Sequence, residues 1–421
     1  MQTTRRKLLA GAGAIGATAY LSKYGIRGAR AQEPVRIGGQ GALSGAHADY
    51  GRQIQMGATL AIEEINAEGG ILGRQVELNF LDEELRPDVA TRNARVQVDD
   101  WGADFLVGVD SSGSSLAMGP VLQELDRICV FTHASTHRLT EELVAGEGIR
   151  QIFRASVPIY QESILAAHLF AQREDITRWA NIGADYEYGH ASWAMFKHTL
   201  QELRPDVEFV AEAWAPFHTI DFSGHVSSVL AANPHAVYAT PWGGEAVTML
   251  RTALVMGAFD QLEVWWQAMG GSVDALEGIA GQIDQFNDKL FATARYLFNW
   301  SEEETRDLNQ SFNQAFQERW GRFPNYSAEC TYSAVQSLRK AAEEAGSTDT
   351  AEVIEAMEGM SIRTPAGVRN YRAEDHQAVY TVPAGRVAKL DEYPMPVVGE
   401  DLFVLSPEDY YRWPPFEPVE Y

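Results

Sequence analysis

Cysteine is nearly missing from this 421-residue chain: Cys129 sits in the apolar run "ICVF" and Cys330 in "AECTYSAV". Two cysteines exclude a disulfide framework and any C-x-x-C metal or redox motif, and both are expected to be buried free thiols. Basic residues are also scarce, 34 lysines and arginines against 58 aspartates and glutamates, for a formal net charge of −24. A field of that sign repels nucleic acid and anionic lipid head groups, so neither is an expected partner. Beyond the N-terminus no run approaches the roughly 18 apolar residues of a membrane helix. Catalytic signatures are missing as well. "GGQGALSG" is glycine-rich but does not give G-x-G-x-x-G, and no acidic residue stands where a ribose contact would need one. There is no G-x-S-x-G, and the serines of "SSGSS" have no motif-linked base. His133 and His137 stand four apart in a loop without the glutamate of H-E-x-x-H, so no metal site is expected. No catalytic residue and no cofactor are expected, and a nucleotide-dependent enzyme is left as the remote alternative.

What the chain does have begins with "TTRRKLLAGAGAIGATAYL". Arg5-Arg6 and Lys7 precede an apolar stretch, Leu8 to Leu21, that is too short to span a membrane, and "GARAQ" offers an A-x-A cleavage site before Gln32. Residues 1–31 are therefore expected to be an export signal, with twin arginines that resemble those of the twin-arginine pathway. Losing its six basic residues takes the formal charge from −24 to −30. The mature chain is expected outside the cytoplasm, in the periplasm.

About 390 mature residues exceed one ordinary core and suggest two domains. Strand-length apolar runs alternate with helical patterns: "VRIGG", a helix over 51–68, "VELNFL", a helix over 88–101, "FLVGV", a helix over 115–126, and "ICVFT". That alternation predicts a right-handed parallel sheet with helices on both faces. A second cycle repeats it from Trp179, through helices over 190–203, 222–232 and 244–256. The fold class expected is α/β, two doubly wound Rossmann-like lobes. Lobe one would take 32–155 plus 296–370 and lobe two 156–295 plus 371–421. A chain that returns to complete lobes begun earlier must cross between them, which makes a hinge. The tail "YYRWPPFEPVEY" reads as a packed surface strap.

In open parallel sheets ligands bind beyond the carboxyl ends of the strands, where the next helices start. Two facing lobes would aim six such loops into one cleft. Lobe one offers hydroxyls and helix N-terminal N–H groups, Ser112, Ser114, Ser135 and Thr136, suited to a carboxylate. Lobe two offers aromatic faces and carboxylates, Tyr188, Trp242, Asp185 and Glu187. Serine and glycine are also ordinary capping and turn residues at a strand-to-helix junction, so the loop "SSGSS" has two readings, cap and receptor.

The stretch "IGGQGALSGAHADYGRQIQMGATLAIEEINAEGGILGRQVEL" resembles the N-terminal signature of the branched-chain amino acid type of ABC-transporter substrate-binding proteins, and "DYEYG" and "TYSAVQSL" resemble later landmarks of that family. The resemblance implies a type I periplasmic two-lobed clamp with three hinge crossings that hands a small solute to an inner-membrane ABC permease, acting as a monomer. Position by position it implies that Ser112 receives the ligand carboxylate, and that the His133 carbonyl and the Ser135 hydroxyl contact the ligand. Tyr50 would stand at the cleft mouth, with Tyr188 and Trp242 on the opposite lobe. Where amino-acid-binding members place an acid for the ligand ammonium, this chain has Gly271-Ser272. Asp185, Glu187 or Glu329 would have to supply that charge, or the ligand carries no amine. The expected ligand is thus an amino acid or an aromatic or aliphatic acid. A periplasmic sensor presenting the same ligand to a receptor is the alternative.

Overall fold

The computed structural model describes residues 33–417. The expected signal and the last four residues of the tail lie outside that range. In chain order the strands are β1 Val35–Gly41, β2 Val76–Asp82, β3 Phe105–Gly108, β4 Cys129–Phe131, β5 Ile152–Arg154, β6 Arg178–Ala184, β7 Glu208–Ala215 and β8 Ala236–Ala239. There follow β9 Val264–Gln267, β10 Leu290–Thr293, β11 Ser361–Thr364, β12 Gly367–Tyr371, β13 Ala378–Val379, β14 Ala384–Ala388 and β15 Val397–Phe403.

These strands form two large sheets, ordered β2-β1-β3-β4-β5 and β15-β14-β10-β9-β8-β6-β7, and a small one, β11-β12-β13. The first is parallel throughout. In the second, β6 to β10 run parallel and β14 and β15 add an antiparallel edge. The architecture is two α/β lobes. Parallel strands covered on both faces must be apolar on both, and β3 and β8 are buried at every position, which is why they read as unbroken apolar runs. The order β7-β6-β8-β9-β10 repeats β2-β1-β3-β4-β5, so each lobe reverses direction beside its first strand. Crevices open at those points, after β1 and β3 in one lobe and after β6 and β8 in the other.

Each first crevice is followed by a helix that starts close under its own strand. Helix Ala48–Ala67 follows β1 and helix Glu187–Leu203 follows β6. A Cβ at Gly51 would stand 2.1 Å from the Ala42 carbonyl oxygen, and one at Gly189 would stand 1.9 Å from that of Ala184. Only glycine permits either approach. The Tyr-Gly pairs 50–51 and 188–189 are thus the same device used twice, and each aims its tyrosine between the lobes. Ala58, Ala61, Ile62 and Ile65 form the buried stripe of the first helix, as their spacing predicts.

The chain leaves the first sheet after β5 and builds β6 to β10. It then returns to pack helix Tyr326–Ala345 on helix Ala48–Ala67, and rejoins the second sheet at β14. Position 371, where the second lobe is expected to resume, closes β12, and the chain re-enters the seven-stranded sheet only at Ala384. Strands β5, β11, β12 and β15 carried no strand signal. β5 is three residues long and ends in the buried Arg154, whose Nε donates to Gln377 Oε1 at 2.5 Å. In the tail, Tyr410 and Tyr411 are buried and Tyr410 Oη donates to the Tyr380 carbonyl at 3.0 Å, so this part of the strap is packed down. Cys129 and Cys330 are buried and unpaired. Among the described residues no helix is long and apolar enough to cross a membrane.

Candidate functional site

Between the lobes lies a narrow cleft with about 10 Å³ of free space, lined by Asp110, Ser112, His133 and Ser135 from the first lobe and Tyr186, Tyr188, Trp242, Met269 and Arg295 from the segments of the second. Its floor is helix Ser112–Leu125, which begins directly after β3. Ser111 is the N-cap: its Oγ accepts from the Ser114 N–H at 3.0 Å and donates to Ser114 Oγ at 2.8 Å. The cap and the cleft lining are therefore divided between neighbours. Ser112 occupies the first helical position, 4 % exposed, and lines the cleft without serving the cap.

Arg295 is the cation of the cleft, and sequence reading missed it. Its Nε donates to Glu162 Oε1 at 2.8 Å and its Nη1 donates to the His133 carbonyl. A guanidinium has five N–H donors, so these two contacts leave others for whatever enters the space it lines. Glu162 also accepts from Tyr188 Oη at 2.9 Å. Burial pushes the Glu162 carboxyl above the usual carboxylate range, against the pull of Arg295 and Tyr188. Burial opposes charge on Arg295, but Glu162 overrides it and holds the proton firmly. The pair is internally neutral, so an incoming carboxylate adds a charge that this fork of donors can accept.

His133 Nδ1 pairs with Asp110 Oδ1, and its Nε2 lies 2.5 Å from Tyr326 Oη. Burial, and then Arg295, lower the imidazole well below its ordinary value, so the ring is neutral, one nitrogen donating and the other accepting. Asp110 Oδ2 accepts from the Ala42 N–H at 2.5 Å, while the Asp110 N–H donates to Glu83 Oε1 at 2.6 Å. Burial pushes both carboxyls up, and a like charge adds to it in each case, Asp110 on Glu83 and Asp82 on Asp110.

The roof is aromatic. Trp242 precedes helix Gly243–Val255, its Nε1 donating to Tyr186 Oη at 2.8 Å. Tyr50 crosses from the first lobe to bond Ser272 Oγ at 2.8 Å, stacks on His133 at 5.1 Å and meets Trp242 edge-on at 4.9 Å. Such geometry suits a flat or elongated apolar group below and excludes water above.

A family model described as periplasmic binding protein matches residues 34–391. The chain belongs to this family. Among its curated relatives, a leucine-, isoleucine-, valine-, threonine- and alanine-binding protein of Pseudomonas aeruginosa is 26 % identical over 80 % of this chain and 85 % of its own. A Leu/Ile/Val-binding protein homolog of Brucella abortus is 28 % identical over 75 % of this chain and 80 % of its own. Solved structures share the fold. A solute-binding protein of an ABC transporter from Rhodopseudomonas palustris, in complex with 3,4-dihydroxybenzoic acid, has a TM-score of 0.77 at 20 % identity and covers 88 % of this chain and 97 % of its own. An amino acid ABC transporter substrate-binding protein from Pseudomonas fluorescens has a TM-score of 0.76 at 23 % identity, covering 89 % and 96 %.

Within this member of the family, Ser112, His133, Ser135, Tyr188 and Trp242 converge on one cleft, and Tyr50 closes its mouth. The His133 carbonyl, expected to face a ligand, is taken by Arg295. Gly271 lies behind the lining, its N–H donating to the Thr293 carbonyl at 3.0 Å. Glu329 has to be corrected: fully buried away from the cleft, it pairs with Arg369 Nη2 at 2.6 Å and accepts from Ser333 Oγ at 2.7 Å. Asp185 is tied to His190 at 2.9 Å and Glu187 accepts from Thr136 Oγ1 at 3.1 Å. None of the three carboxylates expected to replace the ammonium partner lines the cleft. Asp110, Tyr186, Met269 and Arg295 were not singled out from sequence. A lone arginine in "LFATARYLF", directly after a strand, was the available signal for Arg295.

Proposed function

We propose that this protein is an exported solute-binding protein that clamps a small carboxylic acid between its lobes and presents it to an ABC permease. The single observation that carries this reading is the buried Arg295 guanidinium converging with the Ser112 and Ser135 hydroxyls beneath an aromatic roof. Export on the N-terminal signal, cleavage before Gln32, a periplasmic site of action and a monomeric state belong to the same proposal. The protein works by binding and closure, not by catalysis.

Among acids, the cleft favours one without an amine. Asp110, the carboxylate in its lining, is already engaged by His133 and Ala42, and Glu162, outside the lining, by Arg295 and Tyr188, and burial pushes both above the ordinary range. An ammonium would meet no free negative partner. Relatives in complex with 3,4-dihydroxybenzoic acid and p-hydroxybenzoic acid support an aromatic acid. The curated Leu/Ile/Val-binding relatives favour the second reading, a branched-chain amino acid, in which Asp110 would give up His133 to face the ammonium.

The test is a thermal-shift screen of refolded, ligand-free protein against benzoates, aliphatic acids, amino acids, amides and polyamines. A specific ligand at about 1,000 times its dissociation constant adds roughly 4 kcal/mol. Hits confined to amine-free acids are expected; hits confined to amino acids would select the second reading. Silence from every carboxylate would overturn the carboxylate clamp and leave a sensor of other chemistry.

A further inference from the structure

At the mouth of the cleft, outside its lining, stands a cluster that carboxylate capture does not use. His47 ends the short 3-10 segment after β1 in the first lobe, and His218 and Glu245 belong to the second, in the loop after β7 and the first turn of helix Gly243–Val255. One donor atom from each lies within 4.8 Å of the other two. His47 is 0 % exposed, and neither of its ring nitrogens makes a hydrogen bond. The Trp242 backbone lies near enough to bias the ring but without the geometry of a hydrogen bond. A buried imidazole with no partner is costly, and it faces two further donors.

The surroundings fix that imidazole in place. Phe217 stacks on it at 4.9 Å and Trp242 lies 3.9 Å away. Gly243, at φ +59°, lets the first lobe come this close, since a Cβ there would stand 3.1 Å from His47 Cδ2. Glu245 Oε1 accepts from the His218 N–H at 2.7 Å, which orients the carboxylate and leaves Oε2 for another partner.

We propose that His47, His218 and Glu245 form a zinc-class divalent metal site that latches the closed cleft. Two imidazoles and one carboxylate suit zinc and its first-row neighbours, and the set is wrong for calcium or magnesium, which take oxygen ligands. Metal–donor distances of roughly 2.0–2.2 Å place tetrahedral donors about 3.4 Å apart, so the cluster must tighten by about 1.4 Å at its widest. Rotation of the exposed His218 side chain supplies a movement of that size. The fourth position is left for water. Since the ligands come from both lobes, the ion binds the closed form and shifts the open–closed equilibrium toward it. By linkage, zinc and the organic acid must then raise each other's affinity by the same factor.

The experiment titrates the metal-stripped, purified chain with zinc chloride alone in calorimetry, with small-angle scattering in parallel. One equivalent should bind and the radius of gyration should fall. His47→Ala, His218→Ala and Glu245→Gln should each weaken binding by more than about tenfold, the lower end of what even outer-shell changes cost. The His218 side chain is exposed, so that variant tests the site in a protein that folds as the parent does. His190→Ala, at an exposed histidine tied to Asp185, should bind zinc as the parent does. No binding in the parent, or unchanged affinity in all three variants, overturns the site. Binding that depends on His218 and Glu245 but not on His47, or that leaves the radius unchanged, places the ion on one lobe and overturns the latch. No organic acid is present, so either result stands apart from the carboxylate reading.

Discussion

Replacing Ser111 and Ser112 separately by alanine should divide stability from binding between two adjacent serines. Ser111 is the cap: its hydroxyl accepts the Ser114 N–H at 3.0 Å, and its loss should cost about 0.5–2 kcal/mol of folding stability. Ser112 does no capping and lines the cleft, so Ser112→Ala should leave stability within about 0.5 kcal/mol of the parent. A hydrogen bond from that hydroxyl to a carboxylate contributes about 1.5–3 kcal/mol. That converts to roughly a 12- to 160-fold rise in dissociation constant for the acid that the screen selects. Urea denaturation of the ligand-free variants gives the first quantity and calorimetry the second. Ser111→Ala should show the opposite pattern, lowered stability with affinity nearly kept. The reasoning fails if Ser112→Ala binds the acid as tightly as the parent, or if it loses as much stability as Ser111→Ala.

Other expectations test the roof, the corrected glutamate and the buried acids. Tyr50→Phe removes a buried interlobe hydrogen bond of 2.8 Å, so the closed form should lose about 0.5–1.5 kcal/mol and calorimetry should show a roughly 2- to 12-fold weaker acid affinity. Trp242→Ala should cost large apolar acids more affinity than small ones, and equal losses would refute an aromatic lid. Glu329→Gln breaks a fully buried pair with Arg369 and should destabilise by about 3–5 kcal/mol in denaturation, with acid affinity kept in the folded protein. Burial raises Glu245 to about 7, so the folded state keeps a proton that the unfolded chain has released, and stability present below about 4.5 is lost as pH rises through 7, whereas His47, lowered to about 3, costs stability only below about 6.5. In denaturation, Glu245→Gln should therefore make the decline between pH 6.5 and 8 shallower by about 1 kcal/mol, the raised Asp110, Glu83 and Glu141 carboxyls keeping the rest of it.

What was legible in the sequence follows from which physical signals are local. The apolar runs of β3 and β8 announce themselves because a covered parallel strand must be apolar on both faces. The Tyr-Gly turns announce themselves because close approach to the Ala42 and Ala184 carbonyls admits no side chain. Both signals lie within a few residues of the feature they specify, and so does the hydroxyl content of the loop after β3. Arg295 is different. Its partners Glu162 and His133 are 133 and 162 positions away in sequence, and nothing beside it says that a guanidinium will be buried between lobes. Glu329 misled for the same reason in reverse. Its side chain turns to Arg369, which arrives from a strand that itself had no sequence signal. His47 completes the pattern, since it comes near His218 and Glu245 only when the lobes meet. Sequence spacing thus specifies the strand ends and the loops that they carry. The charge partners that bear on which ligand those loops accept are specified by tertiary packing, and the pairing of Arg295 with Glu162 is the contact on which the proposal of an amine-free carboxylate rests.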